Sequence, residues 1–163
     1  MCEGTEEAAR LLEAREWDGA ERLLLGLLER HPEDARANYL MATLCDQSDQ
    51  ERRAVLFYQR ALAGAKDLPD EDAAGAYLGL GSTLRALGEH EESGRVLREG
   101  MGRFPDDRAL STFLALTLYS LGEHREATST LLKNLVETTG DPSIRLYGRA
   151  LAFYADRLDE TFE

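Results

Sequence analysis

The sequence predicts an all-α fold, a solenoid of about four helical hairpins followed by a C-terminal capping helix. The first observation is a repeat: Leu-Gly-Glu-His occupies residues 87–90 and again residues 121–124, 34 residues apart. That period is typical of helix–turn–helix units that stack side by side. The second is composition, because Leu, Ala, Glu and Arg dominate the 163 residues and only four prolines interrupt them. These residue types favour helices.

The third observation is the spacing of apolar residues, which is helical in two places. One stripe follows i, i+1, i+4, i+5 spacing and the other follows i, i+3, i+4, i+8 spacing, each of which gathers its members on one helix face. The stripes are Leu23, Leu24, Leu27 and Leu28, and Leu110, Phe113, Leu114 and Leu118.

Residues of fixed type also stand where the helices should begin and end. Gly88 and Gly122 follow first helices, at points where a left-handed residue is needed and glycine carries no steric penalty. Acidic residues stand close to the expected starts of first helices, where they can cap free backbone N–H groups and interact favourably with the helix dipole. These acids are Asp34, Asp70, Asp106 and Asp141.

Equivalent places in successive units hold similar residues. First helices carry a large residue followed by a small one, at Met41-Ala42, Leu80-Gly81, Leu114-Ala115 and Leu151-Ala152. Second helices carry a small residue at Ala20, Ala54, Ser93 and Ala127, followed four residues later by Leu24, Tyr58, Leu97 and Leu131. Two units close at Pro32 and Pro105. In these positions the chain resembles the tetratricopeptide repeat (TPR) family.

The resemblance implies a right-handed α-solenoid that forms a single domain over residues 1–163. It places the repeats at about 1–34, 35–73, 74–107 and 108–144, and the capping helix at about 145–159.

The second helix of the third repeat is unusually rich in glycine. It contains Gly94, Gly100 and Gly102, and an interior glycine costs about 0.8–1.0 kcal/mol relative to alanine. We expect it to be the least stable internal helix, unless packing on both sides compensates.

Charge and cysteine content bound the partners and the compartment. A formal net charge of −12 argues against nucleic acid and anionic membranes, because phosphate binding needs clustered Lys and Arg. Cys2 and Cys45 form neither a CxxC pair nor a disulfide framework, so a reducing compartment is expected. The chain shows no secretory signal and no apolar run long enough to span a bilayer. We expect a cytoplasmic protein, and the excess of arginine over lysine, 17 to 2, suggests GC-rich bacterial coding.

No catalytic, cofactor or metal motif stands out. The sequence has no nucleophile elbow, P-loop or dinucleotide fingerprint. His90 and His124 occupy one slot in adjacent repeats, roughly 10 Å apart at helix-packing distances, which is too far to share a zinc ion. Gly75, Gly79 and Gly81 fall in a predicted helix without a preceding strand, so they do not form a phosphate-binding loop. We expect a protein that is not an enzyme and needs no cofactor.

The TPR resemblance also implies a concave groove lined by the first helices, with four positions of each helix facing it. Carried over to this chain, these positions form a candidate partner-binding groove that holds apolar, aromatic and arginine side chains. The residues are Arg36, Tyr39, Thr43, Leu78, Ser82, Arg85, Thr112, Leu116, Tyr119, Arg149 and Phe153. Asp46 and Asp156 occupy further groove positions. The Lys/Asn carboxylate clamp of some family members is absent.

The resulting expectation is a non-catalytic scaffold that binds a peptide or protein segment. Tyr and Arg tend to dominate binding energy, which favours this groove as the site. Alternatively, the face is occupied by the chain itself, where Phe162 is available to cover Phe153, or by a second subunit. A self-associating assembly module is another alternative, in which Leu11 and Leu12 near an open edge at the first repeat join two chains in a symmetric homodimer. A small acidic secretion-type chaperone is a further alternative, because charge, length and repeats fit that class without a diagnostic residue.

Overall fold

The computed structural model describes residues 3–162, so Cys2 lies outside the described part. Within that part all regular structure is helical, and the prediction of an all-α fold built from consecutive helical hairpins is confirmed. By its internal contacts the chain divides into two compact units, Met1–Glu89 and His90–Glu163. The boundary falls inside the predicted third repeat, and we describe each unit by itself.

Unit 1 contains five α-helices and a short 3-10 helix in its described residues. They are α1 (Glu3–Glu13), α2 (Trp17–Arg30), α3 (Ala35–Asp46), α4 (Glu51–Ala63), the 3-10 helix (Ala65–Asp67) and α5 (Asp70–Ala86). Each α-helix packs against the next, and α3 also contacts α1 and α5. The core consists of apolar side chains that include Leu24, Met41, Leu44, Leu80 and Leu84.

Two glycines in α5 make room for two tyrosines. A Cβ atom at Gly75 would overlap the Tyr39 hydroxyl, and one at Gly79 would overlap the Tyr58 ring. The two rings lie 6.4 Å apart between centroids. The close approach of tyrosines from α3 and α4 therefore explains why Gly75 and Gly79 are glycines. This packing role agrees with the prediction that these glycines do not form a phosphate-binding loop.

Unit 2 contains five α-helices in its described residues. They are α6 (His90–Arg103), α7 (Arg108–Ser120), α8 (His124–Thr138), α9 (Pro142–Leu146) and α10 (Gly148–Ala155). Helix α7 packs on α6 and α8, and α10 packs on α8. Buried Leu97, Leu110 and Leu118 form the core. Two polar contacts cross it: the hydroxyls of Ser93 and Thr117 are 2.9 Å apart, and the Asn134 amide donates to Ser111 at 2.7 Å.

The expected helix boundaries are present, with one shift. Asp34 and Asp141 accept backbone hydrogen bonds as N-caps, whereas Asp107, and not Asp106, caps α7. Asp70 is the first residue of α5 and follows Pro69. Gly88 and Gly122 both have φ of +82°, a left-handed conformation that glycine adopts without steric cost.

The C-terminal segment differs from the expected continuous helix over 145–159. It forms two short helices, α9 and α10, separated by Tyr147 with φ −101° and ψ 7°. Helix α9 begins earlier than expected because Asp141 caps it and Pro142 suits its first turn. The Tyr147 N–H turns back to the Ile144 carbonyl at 3.0 Å, and Gly148 follows with low helix propensity.

The glycine-rich helix of the predicted third repeat is α6. Gly94 and Gly100 are buried. The nearest neighbour of a Cβ at Gly94 would be Arg98 Nη1 at 3.1 Å, the flexible end of an exposed side chain, so packing does not require glycine there. Gly102 is exposed and has no such neighbour within 4 Å. The lower stability of this helix remains a prediction.

Among the described helices, none is both long enough and apolar enough to cross a lipid bilayer.

Candidate partner-binding surface

The eleven residues predicted to line the groove fall into two sets. Six lie on α3 and α5 of unit 1, and five lie on α7 and α10 of unit 2. The two sets differ in how far the protein itself already engages their side chains.

In unit 1, the Arg36 side chain pairs with acidic side chains of the same unit. Its guanidinium hydrogen-bonds the Glu6 carboxylate of α1, and its Nε lies 3.1 Å from Asp72 Oδ2 of α5. The Arg36 and Asp72 side chains are each only 19% exposed. The Glu6 hydrogen bond raises the pKa of Arg36, while burial raises the pKa of Asp72 against the opposing effect of the Arg36 charge. Arg36 is thus held by its own unit.

The next two predicted groove residues of α3, Tyr39 and Thr43, also make contacts within unit 1. Tyr39 is half-buried with its hydroxyl against Gly75, and burial raises its pKa. The Thr43 hydroxyl donates to the Tyr39 carbonyl at 3.1 Å. One turn further, Asp46 accepts a hydrogen bond from Thr83 at 2.9 Å, and burial raises the pKa of this carboxyl.

Helix α5 contributes the remaining three residues of unit 1. Leu78 and Ser82 are half-buried, and the Ser82 hydroxyl donates to the Gly79 carbonyl at 3.0 Å. Arg85 differs, because its Nε is buried and has no hydrogen-bond partner in the described protein. An unpaired buried donor is costly, and this Nε remains an unsatisfied group inside unit 1.

In unit 2, helix α7 presents apolar side chains outward. Thr112, Leu116 and Tyr119 are spaced four and three residues apart, which places them on one face. Thr112 is internally engaged, since it donates to the Arg108 carbonyl at 2.6 Å. Leu116 and Tyr119 are 39% and 66% exposed. The Tyr119 ring lies 4.7 Å from the His124 ring, which holds it at the surface.

Helix α10 contributes Arg149 and Phe153. Arg149 is exposed, and no acidic side chain in the described residues pairs with it. Phe153 carries the Arg157 guanidinium 4.2 Å from its ring centroid and the Phe162 ring at 5.5 Å. The expected contact between the tail and Phe153 therefore exists, yet Phe153 remains 45% exposed.

The sequence reasoning missed the apolar residues around α10. Leu146, Tyr147 and Tyr154 are 76%, 62% and 48% exposed. The sequence analysis predicted one continuous helix here and assigned no role to Leu146 or Tyr147. The break in the helix at Tyr147 was not predicted from the sequence. Gly148, which follows it, was the local residue that could have indicated the break. Of the eleven exposed large hydrophobic residues in the described chain, nine belong to unit 2, so that unit exposes more apolar side chains than unit 1 does.

The described residues contain no group of three or more side chains that could hold a metal ion. His90 and His124 are the first residues of α6 and α8, so their shared place in the repeat is structural.

Consecutive helical hairpins with small residues at the helix contacts and exposed aromatic side chains define a helical-repeat protein. Ala42, Gly81 and Ala115 are buried as that architecture requires. Residues 35–158 match the family model described as the tetratrico peptide repeat. The match covers more than half of the chain, which therefore belongs to the tetratricopeptide repeat family. Such repeats generally mediate protein–protein interaction and are typically non-catalytic. No curated protein matches the chain.

Proposed function

We propose that the protein is a non-catalytic interaction module that binds a peptide or protein segment through the exposed first-helix residues of unit 2. The observation that carries the proposal is the outward pair Leu116 and Tyr119 on α7. Leucine and tyrosine at this exposure leave apolar area in water that a partner would bury. The expected compartment is the cytoplasm, where a free buried thiol such as Cys45 remains reduced.

Arg149 and Phe153 supply the second part of the proposed contact. An exposed arginine beside an aromatic ring supports recognition of a segment that carries both acceptor and apolar groups. In unit 1, Arg85 is proposed as a separate donor, because its side chain as a whole is only half-buried and forms no ion pair with the described residues. Four other predicted groove residues of unit 1 are proposed to stabilise the packing of their own helices. They are Arg36, Tyr39, Thr43 and Ser82.

The test is affinity capture from native lysate with the protein and two matched double variants. Leu116→Ala/Tyr119→Ala removes the proposed contact, whereas Leu25→Ala/Leu56→Ala removes two exposed leucines of unit 1 outside the predicted groove. All three proteins must first give the same helical circular dichroism spectrum. We expect a partner that the wild type and the control retain and the α7 variant loses.

Equal retention by all three proteins would overturn the assignment to α7. Recovery of the chain alone, with a concentration-dependent mass in sedimentation, would instead assign the surface to self-association.

A further inference from the structure

The further inference concerns the outward face of α9 and α10, which we call the C-terminal cleft. It is a shallow hollow of about 430 Å³ lined by Leu146, Tyr147, Arg149, Ala150, Phe153 and Tyr154. The hollow exists because Ala150 is small while the side chains around it are large. It is therefore shaped to receive one bulky apolar side chain from outside.

The packing of α10 leaves this cleft open. Ala155 is the buried residue of α10, and Leu151 is half-buried, so the helix contacts unit 2 along only one side. Ala152 occupies the position where Ala42 and Ala115 are buried against neighbouring helices, yet Ala152 is exposed. In the described tail after α10 there is no further helix, and the Phe162 ring lies against Phe153 and Tyr154 at one end of the cleft.

The segment that contains α9 and α10 carries a net charge opposite in sign to that of the whole chain. Residues 142–157 hold three arginines and one aspartate, a formal charge of +2 in a chain of −12. Arg145 and Arg149 are exposed and form no ion pair with any described residue. By contrast, Arg125, Arg108 and Lys133 of the same unit are all paired with carboxylates. Arg149 lines the cleft and Arg145 directly precedes its first lining residue, so both guanidiniums are available to an acidic partner.

The shape of the cleft favours a helix as its occupant. Its lining residues span nine residues of nearly helical chain, and the eight rises between them correspond to about 12 Å or two helical turns. Side chains at such spacing form ridges and grooves that pack against another helix. Like charges argue against a symmetric pairing of two copies, since that would bring each Arg145 and Arg149 towards its own symmetry mate.

From this geometry we propose that the C-terminal cleft docks an amphipathic helix of a partner protein, with a bulky apolar residue seated over Ala150 and acidic residues facing Arg145 and Arg149. The proposal rests on the proposed function in taking the chain as an interaction module. It adds the chemistry of the partner, and its site shares Arg149 and Phe153 with the proposed groove but does not include Leu116 and Tyr119.

The probe is a fluorescent 16-residue helical peptide with leucines at i, i+3, i+4 and i+7 and glutamates beside them, compared with a peptide in which lysines replace the glutamates. Binding to the full chain is followed by fluorescence anisotropy at low salt. We expect the glutamate peptide to bind at least about tenfold more tightly than the lysine peptide. The Arg145→Glu/Arg149→Glu variant should reverse this preference.

Two further variants separate fit from charge. Ala150→Leu fills the hollow at an exposed position and should weaken binding of the glutamate peptide about tenfold, without loss of helicity. Arg52→Glu, which reverses an exposed arginine of α4 that forms no ion pair, should leave binding unchanged. Leu116→Ala/Tyr119→Ala should also bind the peptide normally.

Failure of the glutamate peptide to bind, or equal weakening by Arg52→Glu, overturns the proposal. A wild-type dimer that Ala150→Leu dissociates in sedimentation also overturns it and assigns the cleft to a second copy. The proposed function is tested by capture of a partner through Leu116 and Tyr119. The outcome of that capture experiment does not depend on whether the peptide binds.

Discussion

The ring of Tyr58 fills the space that a side chain at Gly79 would occupy. Tyr58 is buried, and this desolvation raises its pKa well above the ordinary value for tyrosine. The contact joins α4 to α5 and fixes how closely the two helices approach. Gly79 is therefore required by packing, although its backbone is helical.

Gly79→Ala should destabilise unit 1 by about 1–3 kcal/mol, because the new methyl group forces the Tyr58 ring to move in a packed core. Gly26→Ala is the matched control: it lies inside α2, and no atom lies within 4 Å of its added Cβ. That variant should be stabilised by up to about 1 kcal/mol. Urea unfolding followed by circular dichroism measures both, and destabilisation of equal size in the two variants would contradict the packing argument.

Gly88→Ala should lose about 1 kcal/mol of stability, since φ of +82° is strained for alanine. Gly122→Ala should lose a similar amount, because Gly122 has the same φ at the equivalent turn. Thermal unfolding of both variants, beside Gly140→Ala as a glycine without positive φ, checks this. A normal melting temperature for either turn variant would mean that the turn adopts another conformation.

Arg36→Met should destabilise the protein by about 2 kcal/mol at neutral pH, because it leaves the largely buried Asp72 carboxylate without its cation. Arg53→Met is the control, as its ion pair with Glu21 is more exposed and such pairs contribute about 0–1 kcal/mol.

The deficit of Arg36→Met should shrink as pH falls. Loss of the guanidinium raises the pKa of Asp72 further, and protonation then removes the uncompensated buried charge. Urea unfolding between pH 7 and pH 4.5 measures this trend. A deficit that does not change with pH would show that Arg36 acts through packing of its aliphatic stem alone.

Asp46→Asn should be at least as stable as the wild type at neutral pH. Burial raises the pKa of Asp46 in the folded state, so the folded protein binds this proton more tightly than the unfolded chain does. Wild-type stability from this group therefore increases as pH falls through the folded pKa, and is complete below the ordinary value. The neutral amide lacks that dependence. Unfolding at a series of pH values, with the exposed Asp67→Asn as control, should reveal the difference, and parallel pH profiles would refute it.

Local signals in the sequence were sufficient for features set by local backbone chemistry. Gly88 and Gly122 marked left-handed turns because only glycine adopts them freely, and Asp34 marked a helix start because its carboxylate reaches Ala37 N–H. The sequence could not show whether Asp106 or Asp107 is the N-cap of α7. Both carboxylates can accept the backbone hydrogen bonds, and a shift of one residue in the helix start decides which of them does so.

Contacts between distant segments could not be predicted from spacing. Arg36 and Asp72 are 36 residues apart, and nothing in the repeat pattern says that an arginine assigned to a groove turns instead to the neighbouring helix. The same applies to Tyr39, whose partner Gly75 looked like one glycine among several. Exposure at the C-terminal cleft depended on the break at Tyr147, which is followed by Gly148, a weak helix former.

Arg36 has a consequence for the dynamics of the N-terminal helix. Terminal helices commonly fray and exchange their amide hydrogens before the rest of a domain opens. Here one guanidinium joins α1 through Glu6 and α5 through Asp72, while its own backbone belongs to α3. The amides in the middle of α1 should therefore exchange with deuterium together with those of α3 and α5, as members of one cooperative opening unit.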